Sequence, residues 1–490
     1  MLTVSAVTGD PLQTEADLLV VPVFKGGIEG PGAGPVLNAV GLDDFPVTPS
    51  FRGDIGQHLL LAAPGLSVSG VVLVGLGRMD ATNPERLRRA AGVAARACRR
   101  VERVVTTLAE VHAHRAAIEA ITEGFLLGAY CDHRFKGVGN DLPPRLAEVV
   151  LLVPFSRLGD ARAGIARAAI CARATCAARD LVNTPPDRKR PHDLAEAMRA
   201  LVAGVCDIVV RDEDALAQRG FGGLLAAGAG SGAPPRLVEL RYRPPNPVTH
   251  VVLVGKGITF DAGGLSLRRG TALNTQKKDM AGAAAVAAAM SALADLDVQV
   301  QVTGLLPLAE NVPSGSAQRP GDIVTIHGGA TVEVRDASAE GRLILADALD
   351  YATALEPQAI VDVATLTPTS AALGPYAGAL MGNDDSLIDE LRVAAEASGE
   401  ALWPLPLWPD LERYLDTPVA DLRNTGDGAG AATIMGGLFL QRFVGDCSWA
   451  HLDIAGPAFL SPDHAIGHLP PGATGFAART LLAWLQRRTA

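Results

Sequence analysis

The stretch VGKGITFDAGG, from Val254 to Gly264, joins an apolar run to a cluster of glycine and polar residues. The run, residues 250–260, has the continuous β-branched character of a strand that is buried on both faces of a parallel sheet. Ligands of open parallel sheets bind beyond the carboxyl ends of the strands, so Lys256 and Asp261 lie where a functional site is expected. The same residues also fit a glycine-rich turn with a solvated lysine and aspartate, and their spacing matches no phosphate-binding loop.

Strand and helix patterns alternate on both sides of this stretch, which is typical of βαβ units on a mostly parallel sheet. Towards the N-terminus, the patterns predict strands over residues 16–24, 70–75, 101–108 and 148–153, and helices over 84–100 and 118–130. Beyond residue 185, they predict strands over 207–210, 237–242, 250–260, 298–306, 360–366 and 449–454, and helices over 278–294, 343–355, 387–397, 429–444 and 474–488. The sequence therefore predicts an α/β protein whose sheets are flanked by helices.

A long pattern rich in alanine and arginine separates these two regions. It runs from Ala161 to Leu181 and predicts a helix that ends before Pro185 and Pro186, because proline cannot continue a helix. We expect an N-terminal α/β domain over residues 1–160, a connecting helix over 161–184 and a larger C-terminal domain over 185–490. The length of 490 residues suits two or three domains.

The composition excludes several classes of protein. Hydrophobic residues make up 48% of the chain and charged residues 20%, which is typical of a globular protein. A net charge of −10 and an aromatic content of 4% give no support to nucleic-acid binding. The six cysteines form no CxxC pair, which indicates reduced thiols and no thiolate zinc site. Because no apolar run is long enough to span a membrane and the N-terminus lacks a basic secretory region, we expect a cytoplasmic protein with no membrane partner.

Two further acidic turns have the same strand-to-helix position as Asp261. Asp279 stands at the start of a nearly all-apolar helical pattern, where it could also act as a simple helix cap. Asp336 and Glu340 lie between a strand-like run and another apolar helix, close to Arg342. Carboxylates concentrated at one sheet edge repel one another unless a divalent cation binds them, and a lysine can join such a set as the neutral amine. The pattern suggests a hydrolytic metal site.

These acidic turns stand in motifs that resemble those of the leucyl (cytosol) aminopeptidase family. The catalytic motifs of that family are matched in order by VGKGITFDAGGLSL (254–267), KKDMAGAAAV (277–286), SAEGRLILADAL (338–349) and VDVATLT (361–367). Further matches are ARDLVNTPPD (178–187), WAHLDIAG (449–456) and GATG (472–475). The N-terminal part is looser, with GLGR (75–78) and EGFLLGAY (123–130) as its best matches. The resemblance covers essentially the whole chain.

The resemblance implies a macro-domain-like N-terminal domain and a C-terminal metallo-aminopeptidase domain. It implies a homohexamer of two stacked trimers, with two adjacent divalent ions of manganese, zinc or magnesium in each subunit. The implied activity is the release of N-terminal amino acids from peptides or aminoacyl amides, in which a metal-bridging water attacks the scissile carbonyl. Arg342 corresponds to the catalytic arginine that holds a bicarbonate base. The metal ligands carried over by the motifs are Lys256, Asp261, Asp279 and Glu340.

Two positions at the implied metal site depart from the family pattern. Ser338 stands where the family has a third metal-binding aspartate, and Arg268 stands where it has a catalytic lysine. The tight metal position therefore keeps all its ligands, whereas the exchangeable one keeps Asp261, Glu340 and the backbone carbonyl of Ser338. Loss of this carboxylate should weaken the second ion at least as much as changes to outer residues do, by roughly 10 to 100-fold. Arg268 retains a positive charge but is bulkier than lysine and cannot release a proton.

The implied substrate pocket departs from the pattern as well. Gln276 replaces a pocket methionine, and Pro368 follows Thr365, Leu366 and Thr367 where the family has glycine. A buried amide without a partner disfavours an apolar substrate side chain. Three functions remain open: an aminopeptidase with altered specificity, a metal enzyme repurposed for another amide or small molecule, and a catalytically impaired structural or binding hexamer.

Overall fold

A computed structural model describes residues 2–42, 48, 50–112, 114–137, 146–426, 428 and 430–489. The chain forms two compact units. The first contains the residues up to Arg173 together with Pro462–Pro471, and the second contains Ala174–Ser461 and Gly472–Ala490. The division falls within one 26-residue helix, Leu158–Asn183, which contributes residues to both units. No helix of the described residues is long and apolar enough to cross a membrane.

The first unit is built on a seven-stranded sheet with the order β1-β7-β6-β2-β5-β4, in which β3 pairs with β2. The pairings are parallel except for those of β4 with β5 and of β2 with β3. The strands are β1 (Thr3–Val7), β2 (Leu18–Phe24), β3 (Ile28–Glu29), β4 (His58–Ala62), β5 (Gly70–Gly75), β6 (Arg103–Thr106) and β7 (Glu148–Leu152). The helices are α1 (Ala33–Ala39), α2 (Pro84–Ala97), α3 (Arg115–Gly128) and α4 (Leu158–Asn183).

The sequence explains the central strand and the first long helix of this unit. All seven residues of β2, LLVVPVF, are buried, which suits a strand that is covered on both faces. Helix α2 begins as its sequence predicts, since Pro84 is at the first position and the Asn83 side chain accepts a hydrogen bond from the Arg86 N–H.

The second unit is built on a nine-stranded sheet with the order β17-β16-β19-β15-β10-β12-β9-β8, in which β11 pairs with β12. The strands are β8 (Asp207–Arg211), β9 (Arg236–Tyr242), β10 (His250–Gly255), β11 (Gly257–Asp261), β12 (Gln301–Asn311), β13 (Ile323–Thr325), β14 (Thr331–Glu333), β15 (Ala359–Ala364), β16 (Ala377–Gly382), β17 (Ala401–Pro404), β18 (Leu422–Arg423), β19 (Trp449–Asp453), β20 (Phe459–Leu460) and β21 (Gly472–Ala473). The helices are α5 (Pro191–Leu201), α6 (Glu213–Gln218), α7 (Gly222–Gly228), α8 (Ala281–Met290), α9 (Gly341–Thr353), α10 (Ser370–Leu373), α11 (Asp385–Ser398), α12 (Ala432–Gln441) and α13 (Ala478–Thr489).

The centre of this sheet is parallel, because β10 pairs in parallel with β12 and β15, and β15 with β19. The single strand predicted over residues 250–260 is in fact two strands, which are interrupted at Lys256. The backbone N–H of Lys256 donates to Val363 of β15 (3.0 Å), whereas the chain beyond it pairs with β12 alone. A side chain at Gly255 would place its Cβ 2.6 Å from Ala283 Cα, so glycine is required where α8 crosses the strand.

Helix α8 lies directly on these strands. Its sequence AGAAAVAAAM is buried at every position, which is typical of a helix enclosed on all sides. A Cβ at Gly282 would collide with the carbonyl oxygen of Val363, so the main chain of α8 packs directly against the main chain of β15 at this crossing. The small residues of α8 thus let the helix approach the sheet and fix the position of the turn that precedes it.

Candidate active site

Four residues that the motifs predict as metal ligands meet at the carboxyl ends of the central strands. Asp261 ends β11, Lys256 lies at the break before β11, Asp279 lies in the turn before α8, and Glu340 immediately precedes α9. All four are at least 95% buried. One carboxylate oxygen from each of Asp261, Asp279 and Glu340 lies within 4.8 Å of the other two.

Lys256 connects two of the loops that form the site. Its Nζ donates to both carboxylate oxygens of Asp279, at 2.8 and 2.7 Å, and to the backbone carbonyl of Thr365 at 2.9 Å. The Thr365 hydroxyl in turn donates to Asp279 Oδ1 at 2.7 Å. A Cβ at Gly341 would collide with the Lys256 side chain, so the glycine after Glu340 makes room for the lysine.

Asp279 does not act as a helix cap, which was the other explanation that its sequence position left open. Helix α8 begins at Ala281, with Met280 as its capping residue and no hydrogen bond from a capping side chain. The carboxylate of Asp279 is instead turned towards Lys256 and Thr365. The helix predicted over residues 278–294 therefore starts later than expected. Residues 270–278 instead form a 3₁₀ segment, which places Asp279 at the site.

Asn311, the last residue of β12, holds two of the carboxylates together. Its Nδ2 donates to Asp261 Oδ1 (3.1 Å), to Glu340 Oε2 (2.9 Å) and to the backbone carbonyl of Ala337 (3.1 Å). Asp261 Oδ1 also accepts the backbone N–H of Gly263 at 2.8 Å. Asn311 was not predicted from the sequence, although its place at the carboxyl end of a parallel strand is the same kind of signal that identified Asp261.

The charges of the cluster shift one another's pKa values. Burial alone would lower the pKa of Lys256, but the neighbouring carboxylates, Asp279 foremost, raise it. Burial and the Asp261 carboxylate hold the pKa of Glu340 well above its usual range. The pKa of Asp279 is also raised, mainly by burial, although Lys256 opposes the shift. The raised pKa values show that Asp279 and Glu340 are buried with too little positive charge nearby to compensate for their lost hydration.

This set of residues suits a divalent cation. Glu340 Oε1 is buried without a hydrogen-bond partner in the described part of the chain, and it lies 3.9 Å from Lys256 Nζ. A buried carboxylate oxygen without a partner is costly unless a cation or water binds it. Carboxylate oxygens and one amine form a donor set that manganese, zinc and magnesium accept.

The two residues that depart from the family pattern each have a defined partner. Arg268 donates through Nε (2.7 Å) and Nη2 to the same oxygen, Asp261 Oδ2. Ser338 is turned to Asp336, whose Oδ1 accepts both its backbone N–H (2.8 Å) and its hydroxyl (2.9 Å). Asp336 is absent from the group of acids that lie within 4.8 Å of one another. The serine hydroxyl is therefore engaged with Asp336.

Arg342 is buried on α9, two residues after Glu340. Its Nη1 donates to the backbone carbonyl of Asn424 (2.5 Å), and its guanidinium lies 5.7 Å from the centre of the Phe439 ring. Burial lowers the pKa of Arg342 to about 10, so the side chain keeps its charge at neutral pH. Asn424, which the sequence analysis did not predict, also donates from Nδ2 to the backbone carbonyl of Asp336 (2.8 Å).

The expected substrate-binding residues lie on two segments. Gln276 is half-buried on the 3₁₀ segment, and its Nε2 donates to the carbonyl of Ala272 (3.0 Å). Thr365 and Leu366 follow β15, where Asp453 accepts the backbone N–H groups of Leu366 (3.2 Å) and Thr367 (2.9 Å). Asp453 thus holds the loop whose Thr365 carbonyl binds Lys256.

Two family models match the chain. The catalytic domain of the cytosol aminopeptidase family matches residues 176–482, and the N-terminal domain of the same family matches residues 20–138. A protein of Streptomyces griseus described as "Probable cytosol aminopeptidase" is 43% identical over 100% of this chain and 99% of its own length. A protein of Streptomyces coelicolor with the same description is 44% identical over 98% of this chain and 97% of its own length.

Solved structures are similar over the same extent. The bottromycin maturation enzyme BotP in complex with Mn has a TM-score of 0.85 and 37% identity, and the match covers 97% of this chain and 100% of BotP. A lysine-to-glutamate variant of tomato leucine aminopeptidase has a TM-score of 0.87 and 30% identity, with 99% of this chain and 97% of that chain covered. The chain therefore belongs to the cytosol aminopeptidase family and is a metal-dependent aminopeptidase.

Proposed function

We propose that this enzyme releases N-terminal residues from peptides and aminoacyl amides, with a changed second metal position and a changed preference for the N-terminal side chain. The observation that carries the proposal is the buried cluster of three carboxylates and Lys256, in which Glu340 Oε1 has no hydrogen-bond partner among the described residues. Burial of such a cluster costs free energy, because each carboxylate loses its hydration, and a purely structural role does not offset that cost. A site that binds a cation explains the arrangement.

Each residue of the cluster has a part in the proposed reaction. The cation would be held by Lys256, Asp261, Asp279 and Glu340. When bound, it acts as a Lewis acid on the scissile carbonyl and supplies a nucleophilic water at neutral pH. Lys256 Nζ has to lose a proton before it can become a ligand, and Asn311 keeps Asp261 and Glu340 at a fixed separation.

The two arginines supply fixed positive charge close to the carboxylates. Arg342 would hold a bicarbonate ion that takes the proton from the attacking water, and its side chain is positioned for this by the carbonyl of Asn424. Arg268 places its guanidinium beside Asp261, where its charge favours the developing oxyanion. Both charges persist at neutral pH because guanidinium groups do not titrate there.

The preference for the N-terminal side chain would depend on Gln276. Its N–H is satisfied by Ala272, whereas its Oε1 has no partner among the residues that the structure describes. An apolar substrate side chain would strip this oxygen of water, so we propose a preference for polar side chains with a hydrogen-bond donor. We expect Gln276→Met to raise the ratio of kcat/KM for leucine over glutamine amides by about 10-fold, which corresponds to about 1.4 kcal/mol.

The proposal extends to the cofactor, the assembly and the location of the enzyme. Manganese, zinc and magnesium all suit the donor set, and the Mn complex of BotP favours manganese. We propose a homohexamer, as the family resemblance implies. A cytoplasmic location fits the description of the relatives as cytosol aminopeptidases and the absence of a membrane-spanning helix from the described residues.

The test is the hydrolysis of a panel of aminoacyl amides by the purified protein with added manganese or zinc at mildly alkaline pH. We expect turnover that a chelator abolishes and that manganese restores. Absence of turnover across the panel, in a folded protein that still holds metal, would contradict the proposal. If longer peptides are not cleaved either, the result would favour a structural or binding role.

A second candidate function is the trimming of a longer, modified peptide. The observation that favours it is the 37% identity with BotP, which is described as a bottromycin maturation enzyme, over 97% of this chain. This candidate predicts poor turnover of the amide panel but removal of the first residue from longer peptides. Mass spectrometry of peptide substrates of increasing length separates the two functions.

A further inference from the structure

Arg268, which stands where the family has a catalytic lysine, is paired with Asp261, a residue that the family resemblance assigns to both metal positions. Arg268 reaches Asp261 because its backbone N–H closes a turn on the carbonyl of Ala262 at 2.9 Å. Gly263 makes this turn possible, with a φ of 89°, a conformation that side chains rarely adopt. The guanidinium then donates through both Nε and Nη2 to one oxygen of Asp261. Its side chain is 34% exposed, whereas that of Asp261 is fully buried at 1%.

Asp261 has little capacity left for a second cation on this side. Its Oδ1 already accepts the N–H of Gly263 and the amide of Asn311. Its Oδ2 accepts Arg268. A guanidinium that binds through two N–H groups holds a carboxylate strongly and cannot be neutralised by loss of a proton.

The residue that should complete a second site is turned elsewhere. Ser338 carries no charge, and its hydroxyl donates to Asp336 Oδ1 at 2.9 Å. The same oxygen accepts the Ser338 backbone N–H, which fixes the Asp336 carboxylate in its own turn. Asp336 therefore does not replace the missing ligand, and it lies outside the group formed by the three buried carboxylates.

The charges of the site agree with this arrangement. The three carboxylates carry at most three negative charges, which one divalent ion and the guanidinium of Arg268 already match. A second divalent ion would leave a buried excess of positive charge next to Arg268, which is strongly unfavourable in a site of low dielectric. The residues present thus fit one cation well and a second one poorly.

From the Arg268–Asp261 pair and the Ser338–Asp336 turn, we infer that the guanidinium of Arg268 takes the place of the second metal ion, so that each subunit binds one divalent cation. The inference rests on the proposed function, since it concerns the same metal site. The substitutions at positions 268 and 338 then form a matched pair, in which the loss of a carboxylate accompanies the replacement of a lysine by a guanidinium that binds Asp261 and keeps its charge.

Metal stoichiometry tests this inference without reference to turnover. The full-length protein is stripped with a chelator, reloaded with excess Mn²⁺, and analysed for bound manganese by elemental analysis and for metal–metal coupling by electron paramagnetic resonance. We expect one ion per subunit and the hyperfine-split signal of an isolated Mn²⁺. Two ions per subunit with the exchange-broadened signal of a coupled pair would overturn the inference, and so would the absence of tightly bound manganese.

Variants show whether the two substitutions act together. We expect the double variant Arg268→Lys, Ser338→Asp to bind two ions and give the coupled signal, with a second site at least about 10-fold tighter than any second site of the unmodified protein. Arg269→Lys is the matched control, because Arg269 is the exposed neighbour of Arg268 and has no partner among the described residues. If the double variant does not fold, as judged by circular dichroism, the stoichiometry of the unmodified protein alone decides the question.

The outcomes also separate this inference from the proposed function. One bound ion without turnover on any amide or peptide supports the inference and contradicts the proposed function. Two bound ions with chelator-sensitive turnover support the proposed function and overturn the inference.

Discussion

Lys256 Nζ lies 2.8 and 2.7 Å from the two carboxylate oxygens of Asp279, although the two residues belong to different segments of the chain. The contact joins the break between β10 and β11 to the turn before α8. It brings together an amine and a carboxylate that are both almost completely buried. Such a pair is expensive to desolvate, so its presence is better explained by chemistry than by stability.

Removal of Glu340 should abolish turnover. We expect Glu340→Ala to lower kcat/KM by more than the roughly 10 to 100-fold typical of changes to residues around a metal ligand, because a proposed ligand is itself lost. The measurement is amide hydrolysis in saturating manganese together with the affinity for Mn²⁺. Glu396→Gln, an exposed change on α11, serves as the control. Unchanged turnover in Glu340→Ala would exclude the site described above.

Asn311→Leu should weaken metal binding without removing any charged group. The change deletes the amide that donates to Asp261 and Glu340, so their spacing is no longer fixed. We expect the affinity for Mn²⁺ to fall by about 10 to 100-fold, as determined by titration calorimetry. Asn246→Leu, on an exposed loop, is the matched control. An affinity equal to that of the unmodified protein would show that the carboxylates need no such support.

Gly341→Ala should disturb Lys256 directly. The added methyl group would collide with Cε of the lysine, which has no free space to move because it is bound to Asp279 and Thr365. We expect a loss of about 1–3 kcal/mol in the free energy of unfolding together with a large loss of activity. Gly315→Ala is the control, since nothing lies within 4 Å of its added methyl. Equal effects of the two changes on both quantities would contradict this explanation.

The buried pair of His451 and Asp362 should make stability depend on pH. Burial alone would lower the pKa of His451, but the Asp362 carboxylate, whose Oδ1 is 2.6 Å from Nδ1, raises it. With a folded-state pKa above the unfolded value of about 6.5, the pair stabilises the protein fully below that pH. The stabilisation is lost as the pH rises through the folded-state pKa.

We therefore expect Asp362→Asn to cost about 3–5 kcal/mol at pH 6 and clearly less at pH 9. Unfolding in urea at both pH values provides the comparison, at a constant concentration of metal. Asp389→Asn is the control, because the Asp389 side chain is 72% exposed. A cost that is the same at both pH values would show that His451 is neutral throughout.

The sequence predicted the strands and helices that frame the site, because their apolar runs and end signals are local. The predicted strand at residues 70–75 coincides with β5, and Asn83 caps α2 as its position indicates. The interruption at Lys256 could not be predicted, since it depends on Val363 and Ala283, which are remote in sequence.

Within the site, the sequence identified the chemical groups but not their partners. Motif positions singled out Asp261, Arg268 and Ser338, yet the pairing of Arg268 with Asp261 depends on a turn that a positive φ at Gly263 permits. Asn311 was missed because a single amide residue at the end of a strand is not part of any periodic sequence pattern. Side-chain pairing across loops is a tertiary property, and local sequence carries little information about it.

The contact between Gly282 of α8 and Val363 of β15 leaves no space for even a methyl group. The backbone at Lys256 and the backbone at the start of α8 are therefore held close together by main-chain contacts. Positions such as Gln276 and Pro368 lie outside that contact and are free to diverge. Over evolutionary time, a lineage with this architecture can exchange one substrate for another while the backbone spacing between these two segments stays the same.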